Sequence, residues 1–279
     1  MSKMKNPKVS IVMPMYNSSN YLSESIESVL NQSFSDYEFL IIDDGSTDDS
    51  CNIALSYKDE RIILVKREHD FIASLNYGLE ISRGKYIARM DADDIMHCDR
   101  LLIQNELMDT YPNIDFCSSW ITFFNRELGV KQINGKYSGI INNPLVCLLQ
   151  NNCFPHPSMM IRKQILKKYN LKYKYYNCAE DYKLWFDAAK CGLTFFVEPQ
   201  SLLYYRCHSS QISSIKSETQ LKTASIIKKE IMNYILHKIS ADFTTFVESI
   251  KVLEKNNHID SMAKYDMLRQ LLLRNNIMI

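Results

Sequence analysis

The first ninety residues alternate short apolar runs with longer segments in which apolar side chains recur at helical spacing. Four runs rich in β-branched and aromatic residues are predicted to be buried strands, at 9–13, 39–42, 62–65 and 86–90. The segments between them are predicted to be helices, around 21–30, 53–57 and 71–81. This alternation predicts an α/β fold, with a Rossmann-like, mainly parallel sheet flanked by helices.

Residues between these segments predict where the elements begin and end. Pro14 has no amide hydrogen and is expected to end the first strand. Ser46 or Thr47 is expected to cap the second helix, because a hydroxyl oxygen can accept from the amides of a first turn. The Ser-Arg-Gly turn at 82–84 is expected to end the third helix.

The second half of the chain is less regular. Helices are predicted at 101–108, 143–150, 162–169 and 179–191, and strands at 116–124, 158–161, 195–197 and 202–205. From about residue 217 onward, isoleucines at helical spacing alternate with lysines, so the chain is expected to end in helices.

Composition narrows the class of protein. The 279 residues are 46% hydrophobic and 23% charged, which fits a globular domain with an appendage. A net charge of +1 offers no basic field for nucleic acid, and no apolar run approaches the ~20 residues of a membrane span. The eight cysteines lack C-x-x-C spacing, and no secretory signal begins the chain, so free thiols in a cytoplasmic protein are expected.

Polar and acidic residues follow the ends of three predicted strands. They include Tyr16, Asp44 and Asp91, and the carboxyl ends of parallel strands meet at one edge of a sheet, so these three are expected to face one cleft. Asp91, Asp93 and Asp94 would repel one another unless a cation lies between them, and hard oxygen ligands suit Mg²⁺ or Mn²⁺. Alternatively, these acids form only a turn before the helix that begins near Asp99.

Four motifs, in order, resemble the glycosyltransferase family 2 enzymes, which have the GT-A fold. They are Pro-Met-Tyr-Asn at 14–17, Asp-Asp-Gly-Ser-Thr-Asp at 43–48, Asp-Ala-Asp-Asp at 91–94, and Glu-Asp with Leu-Trp at 180–185. The resemblance covers roughly residues 8–210 and is strongest to bacterial O-antigen and capsule transferases. It implies a GT-A domain over 1–215, with a nucleotide-binding part at 1–98 and an acceptor-binding part at 99–215, followed by a helical C-terminal extension at 216–279.

The resemblance also implies a nucleotide site. Tyr16 would stack on the nucleobase, with Pro14 and Asn17 in the same loop. Asp44 would accept a hydrogen bond from the base, which for uracil is the ring N–H. Asp91 and Ala92 would lie near the ribose. The loop at 68–71 lacks the arginine that many family members place there, so Arg67 or Arg89 is expected to replace it.

Metal and acceptor sites are implied in the same way. Asp93 would be the main ligand of Mn²⁺ or Mg²⁺, with Asp91 and with His208 of the Tyr-Tyr-Arg-Cys-His segment. Asp181 would be the general base for the acceptor hydroxyl; its position in a first helical turn lowers a carboxylate pKa, so burial or a partner is needed to raise it. Residues predicted to bind the acceptor are Glu180, His156 and Trp185.

Several of these residues also have a purely structural interpretation. Glu180 and Asp181 are acids that favour a helix start, and Trp185 fits a core position or the cleft wall. His156 fits a buried loop histidine. The other histidines outside the motifs are interpreted as surface or packing residues: His69, His97, His237 and His258.

The activity implied is inverting, metal-dependent transfer of a sugar from a UDP-sugar to a hydroxyl of a glycan or a polyprenyl-diphosphate-linked saccharide. One carboxylate base without a second, nucleophilic carboxylate favours direct displacement. Surface polysaccharide synthesis in bacteria is the implied setting, with peripheral contact at the inner face of the membrane and a homodimer both left open. The alternative is a non-catalytic scaffold of a polysaccharide assembly complex. A sugar nucleotidyltransferase is disfavoured because only seven glycines occur and no glycine-rich loop follows the first strand.

Overall fold

A computed structural model describes residues 6–125, 130–209, 211 and 215–238, together with residues 262, 266 and 269. The strands within these ranges are β1 (Val9–Met15), β2 (Tyr37–Asp43), β3 (Ile62–Lys66), β4 (Tyr86–Arg89), β5 (Ile95–Met96), β6 (Phe116–Asn125), β7 (Val130–Asn134), β8 (Gly139–Ile141), β9 (Met160–Arg162) and β10 (Phe195–Arg206). The helices are α1 (Leu22–Leu30), α2 (Ser50–Ser56), α3 (Phe71–Ile81), α4 (Arg100–Thr110), α5 (Pro144–Gln150), α6 (Lys163–Lys168), α7 (Glu180–Lys190) and α8 (Ser217–Lys238).

One mixed sheet runs through the described residues. Its order is β3-β2-β1-β4-β9-β6-β10-β5, with β7 added beside β6 and β8 beside β10. The first four of these strands are mutually parallel, and β9 enters antiparallel to both β4 and β6. The predicted α/β class with flanking helices is confirmed. The parallel half of the sheet places the ends of β1, β2 and β4 at one edge, as expected.

Two element boundaries differ from the predictions. β1 continues through Pro14 to Met15, because β4 pairs with β1 only as far as Val12 and no ladder bond is lost at the proline. Neither Ser46 nor Thr47 caps α2, which begins at Ser50. Instead, the backbone amide of Ser46 donates to the carboxylate of Asp43, and that of Thr47 donates to the side-chain carbonyl of Asn17.

The two predicted segments at 195–197 and 202–205 form one strand, β10. Its register against β6 shifts between Glu198 and Ser201 and again before Leu203. Such an irregularity interrupts the alternation of side chains along a strand, so the sequence pattern breaks although the strand continues. The short strands β7 and β8 were not predicted.

Helices cover both faces of the sheet. On one face, α1 and α4 contribute Leu22, Ile26 and Leu101 to a core that they share with residues of β1 and β2. On the other face, α3, α5 and α7 pack over a core that includes Trp185, whose ring lies edge-on to Phe116. Alternate residues of β1 belong to the two cores, which explains its continuous apolar sequence.

The helix α8 packs on α5 and α7. Ile231 and the isoleucines one turn away on either side are completely buried. Glu230 accepts a hydrogen bond from the Tyr176 hydroxyl at 2.6 Å and forms an ion pair with Lys183 at 2.7 Å. The helix begins at Ser217, close to the predicted boundary at 216, while the remainder of the predicted extension lies outside the described residues apart from 262, 266 and 269. The predicted domain boundaries stay predictions.

Truncating Ile231 in α8 is expected to destabilise the whole fold. The change Ile231→Ala leaves a cavity between α8 and the main core, so we expect a loss of roughly 2–5 kcal/mol in the free energy of unfolding, measured by urea denaturation. The matched control is Ile226→Ala on the same helix, because Ile226 is 53% exposed. Its cost is expected within about 0.5 kcal/mol. Equal effects of the two changes would mean that α8 does not pack as described.

Candidate active site

The loops after β1 and β2 are joined side by side at the edge of the sheet. Asn17 adopts a left-handed backbone conformation with φ of 47°, which asparagine tolerates well. The side-chain carbonyl of Asn17 accepts a hydrogen bond from the Thr47 backbone amide at 2.8 Å, and the backbone amide of Asn17 donates to the Ser46 hydroxyl at 3.0 Å. This bracing fixes Tyr16 beside the second loop, where the residue is 46% exposed. Asn17 therefore holds the two loops together in this structure.

Asp44 lies beneath these loops. Its carboxylate is buried, and Oδ1 accepts from the Asp70 amide at 2.9 Å and the Ser74 hydroxyl at 2.6 Å. His69, which the sequence placed among surface or packing residues, lies beside it, with Nδ1 2.9 Å from Oδ2. The imidazole of His69 stacks on the ring of Tyr16 at a centroid distance of 4.3 Å. No sequence pattern marked His69 as part of this site.

Pro14 and Ala92, two of the predicted nucleotide-binding residues, are buried. The carbonyl oxygen of Ala92 accepts from the Ser25 hydroxyl at 2.9 Å, which anchors the acidic loop to α1. Any contribution of these two residues to ligand binding therefore comes through their backbone or through the loops they hold in place.

Three carboxylates converge after β4. Ligand oxygens of Asp91, Asp93 and Asp94 all lie within 4.8 Å of one another. Burial and the charge of Asp91 raise the pKa of Asp93, and burial and the charge of Asp93 raise the pKa of Asp94 well above its usual range. Oδ2 of Asp94 is buried without a hydrogen-bond partner among the described residues. Repelling carboxylates and an unpartnered oxygen are what a bound cation would relieve.

The end of β10 brings His208 to this cluster. Nε2 of His208 lies 3.1 Å from Oδ2 of Asp93, although the two residues are 115 positions apart. Arg206 fixes the geometry: its amide donates to Oδ1 of Asp94 at 2.9 Å, and its Nε donates to the carbonyl of Asp93 at 2.7 Å. Carboxylate oxygens with one imidazole form a donor set that fits Mn²⁺ or Mg²⁺.

Arg89 is the cation that pairs with Asp91. Its side chain is 3% exposed, and Nη2 pairs with Oδ1 of Asp91 at 2.6 Å. Its Nε is buried without a hydrogen-bond partner among the described residues. Arg67, the other candidate from the sequence, instead places its guanidinium over the ring of Tyr77 at 4.4 Å. Of the two arginines, Arg89 is therefore the one that reaches the acidic cluster.

Asp181 is the second residue of α7, and Asn152 is the partner that the sequence did not identify. The Asn152 amide donates to Oδ2 of Asp181 at 2.7 Å. Burial raises the pKa of Asp181 to about 6, against the lowering effect of that hydrogen bond. Burial, together with the charge of Asp181, raises the pKa of Glu180 to about 8. Around neutral pH the pair therefore holds one proton between its two carboxylates.

Trp185 and His156, both predicted to bind the acceptor, differ in how deeply they are buried. Trp185 has no exposed surface and packs against Phe116 and Phe195, so the prediction that it contacts the acceptor is wrong in this conformation. The alternative prediction, that Trp185 is a core residue, is correct. His156 is half-buried beside it, and Nε2 lies 2.7 Å from the hydroxyl of Tyr173. Burial lowers the pKa of His156 well below its usual range, which favours the neutral imidazole. Its contact with an acceptor stays a prediction.

Sequence comparison places this site in a family. Residues 10–170 match the profile described as Glycosyl transferase family 2. An uncharacterized glycosyltransferase of Haemophilus influenzae is 33% identical over 95% of this chain and 87% of its own length. One from Methanocaldococcus jannaschii is 34% identical over 84% of each protein. The chain belongs to glycosyl transferase family 2, and the predicted family and enzyme class are confirmed.

Structural comparison gives the same fold. The crystal structure of S. aureus TarS in complex with UDP-GlcNAc matches with a TM-score of 0.62 and 21% identity, over 75% of this chain and 61% of that one. The complex of TarS with UDP matches with a TM-score of 0.62 and 18% identity, over 85% of this chain and 77% of that one. The chain thus spans less than two thirds of the first of these TarS chains. These matches support the predicted GT-A fold.

Proposed function

We propose that this chain is an inverting, metal-dependent glycosyltransferase that moves a sugar from a UDP-sugar to a hydroxyl of a glycan or lipid-linked saccharide. The observation that carries the proposal is that the acidic cluster after β4 and the base candidate on α7 lie close enough for their charges to interact. The charge of Asp91 raises the pKa of Asp181 and the charge of Arg89 lowers it, so the three side chains lie within electrostatic range. The TarS complexes with UDP-GlcNAc and UDP support uracil as the base.

The nucleotide would be bound by the loops after β1 and β2, with the base at Tyr16 and Asp44. Asp93, Asp91 and His208 would hold Mn²⁺ or Mg²⁺, and such an ion neutralises the charge that develops on a leaving diphosphate. Arg89, buried beside Asp91, would orient that carboxylate through their ion pair at 2.6 Å.

Proton removal from the acceptor would fall to Asp181. Asn152 holds Oδ2, and each carboxylate oxygen keeps a further lone pair that can accept the acceptor hydroxyl. A pKa of about 6 leaves Asp181 ionised at neutral pH yet basic enough to accept a proton in the transition state.

The protonation state of Glu180 bears on whether the transfer inverts or retains the configuration at the anomeric carbon. Because its pKa is raised to about 8, Glu180 is protonated at neutral pH and is a poor nucleophile. Double displacement needs a second ionised carboxylate placed to attack the anomeric carbon. With Asp181 as the one ionised carboxylate of this pair, single displacement with inversion is the proposed course.

The test is a donor panel. UDP-, GDP- and dTDP-sugars are incubated with the protein and Mn²⁺, and released nucleoside diphosphate is measured, with slow hydrolysis reporting donor use when no acceptor is present. We expect release from one UDP-sugar, abolished by chelation of the metal. Nuclear magnetic resonance of the product then gives the anomeric configuration. If every donor is bound but none is turned over with any saccharide acceptor, the non-catalytic scaffold becomes the better account.

The acceptor is proposed to be a polyprenyl-diphosphate-linked saccharide of bacterial surface polysaccharide synthesis, which would place the protein at the inner face of the membrane. A homodimer is compatible with the proposal. Among the described residues, no helix has the length and hydropathy needed to cross a bilayer. The exposed face of α8 offers a way to contact the membrane surface instead, because the apolar Leu221 and Ile226 lie there beside Lys222 and Lys229.

Reversing two charges on α8 tests this membrane contact. We expect the full chain to co-sediment with vesicles rich in anionic lipid, and Lys222→Glu with Lys229→Glu to reduce the bound fraction, because each lysine near such a surface contributes about 1 kcal/mol. Both side chains are exposed, so folding should not change. Unchanged sedimentation of the double variant would remove α8 as the contact.

A further inference from the structure

The imidazole of His69 makes two contacts that the proposed function reserves for a nucleobase. It stacks on Tyr16 with an angle of 28° between the rings. Its Nδ1 lies 3.0 Å from the backbone oxygen of Asp44 and 2.9 Å from Oδ2 of the same residue. Both of these oxygens only accept, so Nδ1 carries the hydrogen. A flat heteroaromatic ring with a ring N–H facing Asp44 is also a description of uracil.

The contact between His69 and Asp44 leaves one carboxylate oxygen, Oδ2, without a hydrogen bond. Oδ1 is occupied by the Asp70 amide and the Ser74 hydroxyl, whereas Oδ2 is buried without a well-aligned hydrogen bond despite its short distance to Nδ1. A buried carboxylate oxygen without an aligned donor is costly. Oδ2 is thus aimed at the space that His69 fills, and a better-placed ring N–H would satisfy it.

The backbone of His69 is held in place, whereas its side chain is largely exposed. A Cβ added at Gly45, whose φ is 81°, would lie 3.2 Å from the His69 amide nitrogen, so the two backbones are in close contact. The next residue, Asp70, is fixed by its amide bond to Asp44 and by a hydrogen bond of 2.6 Å from the Tyr175 hydroxyl. The His69 side chain, however, is 60% exposed, so rotation about its own bonds can remove the ring from Tyr16.

We propose that His69 is a built-in competitor for the nucleobase, which caps the base subsite and must rotate away before a base can stack on Tyr16. The proposal rests on the proposed function and adds a conformational step to it. Because the binding-competent state is then only a fraction of the protein, the apparent affinity for nucleotide is reduced by that fraction. An aromatic pair of this kind shifts an equilibrium by roughly a factor of two to ten.

The test compares calorimetric titrations of UDP, with Mn²⁺ present, into the wild type and into His69→Ala. Removing the competitor should tighten UDP binding by about two- to tenfold. Inorganic pyrophosphate with Mn²⁺ is the matched ligand without a base, and its affinity should be the same for both proteins. His237→Ala removes an exposed histidine at the far end of α8 and should change neither titration.

Nuclear magnetic resonance supplies a second readout that does not depend on affinity. The ring-proton signals of His69, identified by their loss in His69→Ala, should be shifted by the ring current of Tyr16 and should return toward their free positions when UDP is added with Mg²⁺, which is diamagnetic. Signals that stay in place at saturating UDP would overturn the proposal.

The outcomes separate the two hypotheses. Weaker or unchanged UDP binding by His69→Ala, with a wild type that binds UDP, overturns the competitor role and leaves the transferase proposal standing; weaker binding would make His69 a wall of the base subsite. A wild type that binds no nucleoside diphosphate overturns the proposed function, and the competitor role with it. Tighter UDP binding with unchanged pyrophosphate binding supports both.

Discussion

Replacing Asp181 by asparagine is expected to lower kcat by about 10²- to 10⁴-fold, the usual contribution of a general base. The change keeps the shape of the side chain and removes its ability to accept the acceptor proton. Binding of UDP should be unaffected, because Tyr16 and Asp44 lie on other loops. The measurement is steady-state turnover of the donor identified by the panel, with calorimetry of UDP alongside.

The pH dependence gives this prediction a second, independent part. Asp181 must be ionised to act as base, so kcat/KM should fall as the pH drops through its pKa of about 6 and should be level above it. Glu180→Gln is the matched control, because Glu180 is already protonated at neutral pH and its replacement should leave most of the turnover intact. Full activity of Asp181→Asn, or equal losses in both variants, would contradict the assignment of the base.

Replacing Asp93 by alanine is expected to abolish metal-dependent nucleotide binding. Asp93 contributes an oxygen to the acidic cluster and contacts His208, so its loss removes the centre of the proposed metal site. Loss of a partner that merely orients a metal ligand typically costs 10- to 100-fold in affinity or activity, so loss of the ligand itself should cost more than about 100-fold in turnover.

Stability distinguishes this loss from misfolding. Burial and the neighbouring charge of Asp91 raise the pKa of Asp93, so ionised Asp93 is unfavourable in the fold when no cation is added. Asp93→Ala should therefore unfold at the same temperature as the wild type or higher in metal-free buffer. Glu106→Ala, an exposed acid on α4, is the control for the loss of a negative charge. Wild-type response to Mn²⁺ in Asp93→Ala would contradict the assignment.

Local pattern was sufficient to predict the parallel half of the fold. Strands buried on both faces read as continuous apolar runs, and helices of this half, such as α3, carry their own periodicity and turn signals. The later strands were harder to predict, because β7 and β8 are short and owe their places to pairing with β6 and β10. The continuation of β1 through Pro14 likewise depends on where β4 ends, which no local signal contains.

The candidate site divides in the same way. Tyr16, Asp44 and the acidic cluster follow strands that were predicted, so their convergence could be deduced before the structure. Asn152 contacts Asp181 across 29 residues, and His69 contacts Asp44 across 25, through irregular loops without any repeating pattern.

Trp185 shows the opposite error. The Leu-Trp pair was part of a recognised motif, yet the periodicity of α7 turns Trp185 toward the core rather than the cleft. Asp181, four residues earlier on the same helix, is partly exposed, and this exposure keeps it available to a substrate. Membership of a motif alone does not say which of its residues reach a ligand.

The most direct measurement is a calorimetric titration of the wild type with UDP, GDP and dTDP, each with and without Mn²⁺. The account predicts binding of UDP that requires Mn²⁺, with weaker or no binding of the other two. Absence of binding to all three nucleotides in the presence of Mn²⁺ would contradict the account.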